Sequence, residues 1–202
     1  MTRSVGTMIS RAARRHGAMR AICIQFLALA LACLIFPSAK LAAQQKPTEY
    51  SVKAVYLYNF GKFVQWPATA SSELKANSFE ICILGQDPFG SALDTVVKGE
   101  KIDGQPLMTR KLESVDAAEN CRIVFISSSE KDRLGAVLQA LRSKPSLTVS
   151  DLPDFCNRGG MIQFVLEGDK VRFLVNLAPA EKARLTFSSQ LLKVATAVLK
   201  TP

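Results

Sequence analysis

Histidine occurs once in this 202-residue chain, at His16, and cysteine five times, at Cys23, Cys33, Cys82, Cys121 and Cys156. These two residue types build most nucleophilic and metal sites, so their placement bounds the chemistry. No histidine follows residue 43. The rest of the chain therefore has no Ser-His-Asp or Cys-His nucleophile system and no histidine-ligated zinc. It also lacks the commonest general acid–base residue. Carboxylate catalysis and flavin or nucleotide chemistry stay open in principle, yet neither a G-x-G-x-x-G nor a P-loop is present. We expect no catalytic residues, no metal and no cofactor, and the balance moves towards a binding or regulatory protein.

Three cysteines lie beyond residue 43. Cys82 falls inside one predicted strand and Cys121 at the start of another. A bridge between them would close a loop of about 40 residues, worth roughly 4 kcal/mol in the chain-entropy model. Two ordinary buried thiols are the alternative that spacing alone leaves open. Cys156 stands in the polar run Asp154-Phe155-Cys156-Asn157-Arg158. It is an unpaired thiol, either buried or available for exchange.

Residues 1–43 bear on where such a protein works. Arg3, Arg11, Arg14, Arg15 and Arg20 precede a sixteen-residue run over 21–36 that is apolar apart from Gln25, and Leu41-Ala42-Ala43 then precedes Gln44. A positive start, an apolar middle and a small-residue exit read as a secretory signal peptide. Sixteen residues span about 24 Å as a helix, short of the roughly 30 Å of a bilayer core. A lipidated Cys33 fits poorly, because the apolar run continues through Leu34, Ile35 and Phe36. This leader holds six of the 26 basic residues and none of the 17 acidic ones, so 20 against 17 remain and the net charge falls from +9 to +3. No basic run longer than Arg110-Lys111 remains, and nucleic-acid binding loses its electrostatic footprint.

Residues 44–202 suit one domain. The linker-like stretches are 44–47 and 68–78. Residues 48–66 read as a helix with Val52, Val55, Tyr56, Asn59, Phe60 and Phe63 on its core face, stopped by Pro67. Strands are predicted over 79–84, 106–112, 122–126, 147–149, 161–167 and 170–176, the last two joined by Gly168-Asp169. Between them, one helix starts at Pro88 with Asp87 as its cap, and another follows a Ser127–Glu130 capping box. Helices over 179–184 and 188–199 close the chain. The fold class is α/β: an open, mixed, mostly parallel sheet with helices on both faces and a late antiparallel hairpin as its edge. In such sheets ligands bind at the strand carboxyl ends, which makes Asp87, Phe89 and Ser128 the ligand-rim candidates. On the first helix Tyr58 and Trp66 fall off the core stripe, so they are the partner-binding candidates.

The residues also carry a resemblance. The run Tyr56-Leu57-Tyr58-Asn59-Phe60-Gly61-Lys62-Phe63-Val64-Gln65-Trp66-Pro67 resembles the first-helix signature of the YfiR family of periplasmic proteins. Ile81-Cys82-Ile83-Leu84-Gly85-Gln86-Asp87-Pro88-Phe89-Gly90 is similar to its second block. Residues 121–130, Thr148-Val149-Ser150-Asp151, Gly159-Gly160-Met161-Ile162, residues 171–176 and Ser188-Ser189-Gln190-Leu191-Leu192-Lys193 follow in order, so the resemblance spans about 49–197. It implies a disulfide between Cys82 and Cys121. It implies a second bridge at Cys156 as well, but Gln163 stands where the other half is expected. It implies a soluble periplasmic regulator that binds the periplasmic domain of an inner-membrane diguanylate cyclase and lowers cyclic di-GMP, which controls biofilm formation. An outer-membrane OmpA-like lipoprotein would sequester the regulator.

The competing class is a periplasmic small-ligand-binding accessory protein for another membrane sensor, such as a histidine kinase, or for a transporter. A homodimer is compatible with both classes. The leader predicts that protein recovered from the periplasm begins near Gln44. Intact-mass spectrometry of that fraction checks this, and an uncleaved amino terminus in the membrane pellet would show an anchor instead.

Overall fold

The computed structural model describes residues 48–67 and 77–200. The expected leader and most of the 68–78 linker lie outside the described residues. Helix α1 (Glu49–Phe63) is capped by Thr48, whose hydroxyl accepts from the Ser51 amide. A two-residue strand β1 (Val64–Gln65) follows. Then come β2 (Phe79–Leu84), α2 (Ala92–Val97), β3 (Lys101–Ile102), β4 (Gln105–Leu112), β5 (Cys121–Ile126), α3 (Leu134–Leu141) and β6 (Leu147–Ser150). Strands β7 (Ile162–Glu167) and β8 (Lys170–Asn176), α4 (Leu177–Lys182), β9 (Thr186–Phe187), α5 (Ser189–Val194) and β10 (Ala197–Leu199) complete the order.

The main sheet runs β10-β8-β7-β6-β5-β2-β4-β3. Strands β4, β2, β5, β6 and β7 are mutually parallel, and β7–β8 is the antiparallel hairpin. In chain order these five parallel strands read second-first-third-fourth-fifth, the doubly wound arrangement whose order reverses between β2 and β5. The period-two alternation of β5 sorts the core: Ile123 and Phe125 pack under Ala54, Leu57 and Phe60 of α1. On the opposite face, Val124 and Ile126 pack with Leu134, Val137 and Leu141 of α3.

Several expectations need correction. Helix α1 ends at Phe63, before Pro67, because Val64–Gln65 pairs antiparallel with Phe187 and Thr186, and Ser188 donates to the Phe63 carbonyl at 2.9 Å. Its buried stripe is Lys53, Ala54, Leu57, Phe60 and Gly61, and Val55 is 46% exposed. The helix after β2 starts at Ala92 instead of Pro88. Asp87 makes a local turn instead, accepting from the Phe89 amide at 2.8 Å. The Ser127–Glu130 box is replaced by a 3₁₀ segment over Ser128–Arg133, with the Glu130 amide on the Ser127 carbonyl. The last predicted helix stops at Val194, and 197–199 form β10, parallel to β8. The hairpin is thus not the sheet's edge. A further strand, β3, returns into β4 through Asp103-Gly104, both at positive φ.

Cys82 and Cys121 are bonded, with Cα atoms 5.8 Å apart. The bond joins neighbouring strands across the middle of the sheet. Cys82→Ser and Cys121→Ser are each expected to cost about 4 kcal/mol of stability in the oxidised protein. The double variant should be little worse than either single one, because both remove one link. Urea midpoints measure this, and additive losses would show two independent packing defects.

Candidate functional site

The loops after β2 and β5 meet where the strand order reverses, the place at which this topology normally opens a crevice. Here they close on each other. Ser127 donates its amide to the Leu84 carbonyl at 3.0 Å, and the Gln86 amide donates to Ser129 Oγ at 2.9 Å. Gly85 sits at φ +87°, and a Cβ there would lie 2.3 Å from Ser129 Oγ and 2.9 Å from Glu130 Oε1. Of the rim residues, Phe89 is turned inward, edge-on to Tyr50 and Phe125 at 5.4 and 4.8 Å, and belongs to the core rather than to a rim surface. Asp87 is ion-paired with Lys111 at 2.8 Å, which raises the lysine's pKa through that hydrogen bond and charge. Ser128 is exposed, and its neighbour Ser129 makes the bond to the opposite loop.

One polar cluster at this end escaped the sequence reading. Lys53 is 2% exposed on the inner face of α1, and its ammonium meets Asp151, just after β6, at 2.6 Å. Glu49, one turn back on α1, also pairs with Lys53. The Tyr50 hydroxyl donates to the same Asp151 oxygen at 2.8 Å. Burial, then this bond and the charge of Asp151, raise the Tyr50 phenol well above its ordinary value. The ammonium also lies 4.4 Å from the Tyr50 ring centre. Charge, hydrogen bonds and ring face are all satisfied locally, which ties α1 to the sheet.

The sulfur groups are equally quiet. Glu80, Cys82 and Cys121 lie together, but the two sulfurs are bonded to each other and Glu80 is held by Arg110 at 2.8 Å, so they are not a thiolate metal site. Cys156 is buried and unbridged. Burial pushes its thiol up to about 12, against a smaller opposing effect of a backbone hydrogen bond. Gln163, where a bridging cysteine was expected, accepts from the Cys156 amide at 3.1 Å. A hydrogen bond here occupies the place of the second link, and the thiol is not an accessible nucleophile.

The outward side of α1 is different. Tyr58 is half-buried, bonded through its hydroxyl to Glu100, with the Lys62 ammonium 4.2 Å from its ring centre. Val55, three residues earlier on the same stripe, borders an apolar groove that Val52 and Val96 also line. Trp66 follows β1 and packs edge-on against Phe79 at 5.2 Å. Its indole Nε1 is buried and finds no acceptor among the described residues.

The Lys53 cluster has a checkable energetic signature. Lys53→Met and Asp151→Asn should each destabilise by about 3 kcal/mol, since each leaves a partly buried charge without its main partner. The double variant should lose less than the sum of the two. Urea unfolding with an unchanged m-value reads both effects.

With this geometry in view, comparison places the chain among known proteins. A family profile described as YfiR/HmsC-like matches residues 50–196. No curated protein matches the sequence. Among solved structures, a conserved domain protein from Vibrio cholerae O1 biovar El Tor superposes with TM-score 0.51 at 11% identity, over 75% of this chain and 60% of that one. The ABC domain in complex with L-Trp from Streptococcus pneumonia gives TM-score 0.47 at 11% identity, over 64% of this chain and 59% of that one. The chain thus spans about 60% of the length of these structures, and at such identity the Vibrio likeness is one of fold alone. The profile covers nearly all of the described residues, and the protein belongs to the YfiR/HmsC-like family.

Proposed function

We propose that this protein is a periplasmic regulator, and that it binds the periplasmic sensor domain of an inner-membrane diguanylate cyclase, holds the enzyme inactive and so lowers cyclic di-GMP. The family match over residues 50–196 carries the reading, because members of this family work as regulators of that signalling. The filled crevice at the β2–β5 rim and the locally satisfied Lys53 cluster support binding rather than catalysis. The periplasmic location rests on the leader at 1–43, with 44–202 acting as one domain. Among the described residues no helix is long and apolar enough to cross a membrane.

In this proposal the contact uses the outward stripe of α1, centred on Val55 and Tyr58, with Trp66 at its far end. An aromatic ring beside an exposed apolar residue and a groove matches what the core of a protein interface requires. An outer-membrane OmpA-like lipoprotein would compete for the regulator and relieve repression. A homodimer through the same stripe would be a resting state.

Deleting the gene should raise cyclic di-GMP, and deleting the cyclase as well should abolish the rise. Val55→Asp and Tyr58→Ala should weaken repression while the protein accumulates and melts cooperatively. Tyr58→Ala should lose about 2 kcal/mol, for the hydroxyl bond and the partial packing of the ring that it gives up. Normal repression by both variants would move the interface elsewhere, and unchanged cyclic di-GMP in the deletion strain would remove the role itself.

A further inference from the structure

A cleft of about 220 Å³ lies between α3 and α4, over the start of β6, away from the closed β2–β5 rim. Three cations border it: Arg142 just after α3, Arg158 in the loop before β7, and Lys182 at the end of α4. No carboxylate lines it. All three are exposed, and none is ion-paired among the described residues. Like charges gathered round one concavity repel, and an anion between them removes that repulsion. Thr148, 2% exposed, also lines the cleft. Its Oγ1 accepts from the Met161 amide at 3.1 Å, and its own O–H has no acceptor among the described residues. The volume holds about seven waters at roughly 30 Å³ each, below the range of drug-sized pockets.

We infer that this cleft binds a small anion carrying at least two negative oxygens. Two guanidinium forks and an ammonium around a buried hydroxyl suit the oxygens of a phosphate or a polycarboxylate. The inference rests on the cleft alone and stands whether or not the protein regulates a cyclase.

The protein, purified as the expressing cell processes it, is titrated with inorganic pyrophosphate and with citrate at low salt, by calorimetry and by thermal shift. Saturable binding of at least one probe is expected, weakening as salt rises. Binding of pyrophosphate alone would identify a phosphate site, and binding of citrate alone a carboxylate site. Arg142→Gln, Arg158→Gln and Lys182→Gln should each weaken binding by about five- to tenfold, as loss of a charge-assisted contact does. Lys101→Gln, on β3 at the sheet's far edge, should leave affinity unchanged. Gly135 borders the cleft on α3, and a Cβ there would meet nothing within 4 Å. Gly135→Glu should therefore keep the helix, whose propensity it improves, while its carboxylate repels the anion and abolishes binding. No saturable binding of either probe, or an equal loss in Lys101→Gln, overturns the inference.

Discussion

The pairing of β2 with β5 is the constraint on which the rest of this structure depends. In β5 the alternation that sends Ile123 and Phe125 towards α1 would, if continued backwards, send Cys121 there too. Cys121 instead lies with Val124 and Ile126 on the α3 face, beside Cys82. The reason is a register shift: Glu80 pairs with Cys121, and Ile81 already pairs with Ile123, so Arg122 is the extra residue of a bulge. That single insertion brings both sulfurs to one face without disturbing the alternation above it. The bond then locks the two strands at which the sheet's order reverses, and the other strands of the main sheet lie outward from this pair, β4 and β3 on one side and β6, β7, β8 and β10 on the other.

What the sequence made legible follows from how local each signal is. Strands with uniformly apolar runs, such as Ile123-Val124-Phe125-Ile126, are found at their observed places because burial on both faces permits little else. The observed stripe of α1 departs from the apolar period because one of its buried positions is a lysine and another is a glycine. Lys53 can turn inward only because Asp151 waits almost a hundred residues later, and no helical period records that. Gly61 is buried because Ile102 and Phe79 approach it closely, which is again a tertiary fact. The Asp103-Gly104 turn was there to be read, since it is a common hairpin signal, but the strand before it has only two residues.

The carboxyl end of the chain shows the same limit from the other side. Residues 188–199 look helical on apolar spacing, yet the run is divided. Ser188 caps α5 by accepting from the Leu191 amide. After Val194 the Thr196 amide is taken by the Phe173 carbonyl at 2.9 Å, on the open side of β8. An unpaired strand edge competes with helix propagation for backbone donors, and here the edge prevails. The outcome covers β8, which would otherwise be an edge open to another chain.

The same competition decides where function can sit. A doubly wound sheet offers a crevice at its switch point, and in this protein Gln86, Ser129 and Glu130 occupy it. The Lys53–Asp151 pair ties α1 to the sheet at this end, and the Cys82–Cys121 bond joins β2 to the start of β5 deeper in the sheet. A scaffold stiffened at its centre can present surfaces but cannot close around a ligand there. The two proposed recognition surfaces, the Val55–Tyr58 side of α1 and the cationic cleft beside α3, both lie outside this region. The first lies over the Phe125 face of the sheet, where α1 packs, and the second is walled by α4 and by α3, which packs on the Val124 face. An anion held under α3 would stabilise the free and the partner-bound protein equally unless the sheet between them yields, because linkage requires different affinities in the two states. The bond between β2 and β5 opposes such yielding, and this favours two independent recognition surfaces over a relay between them.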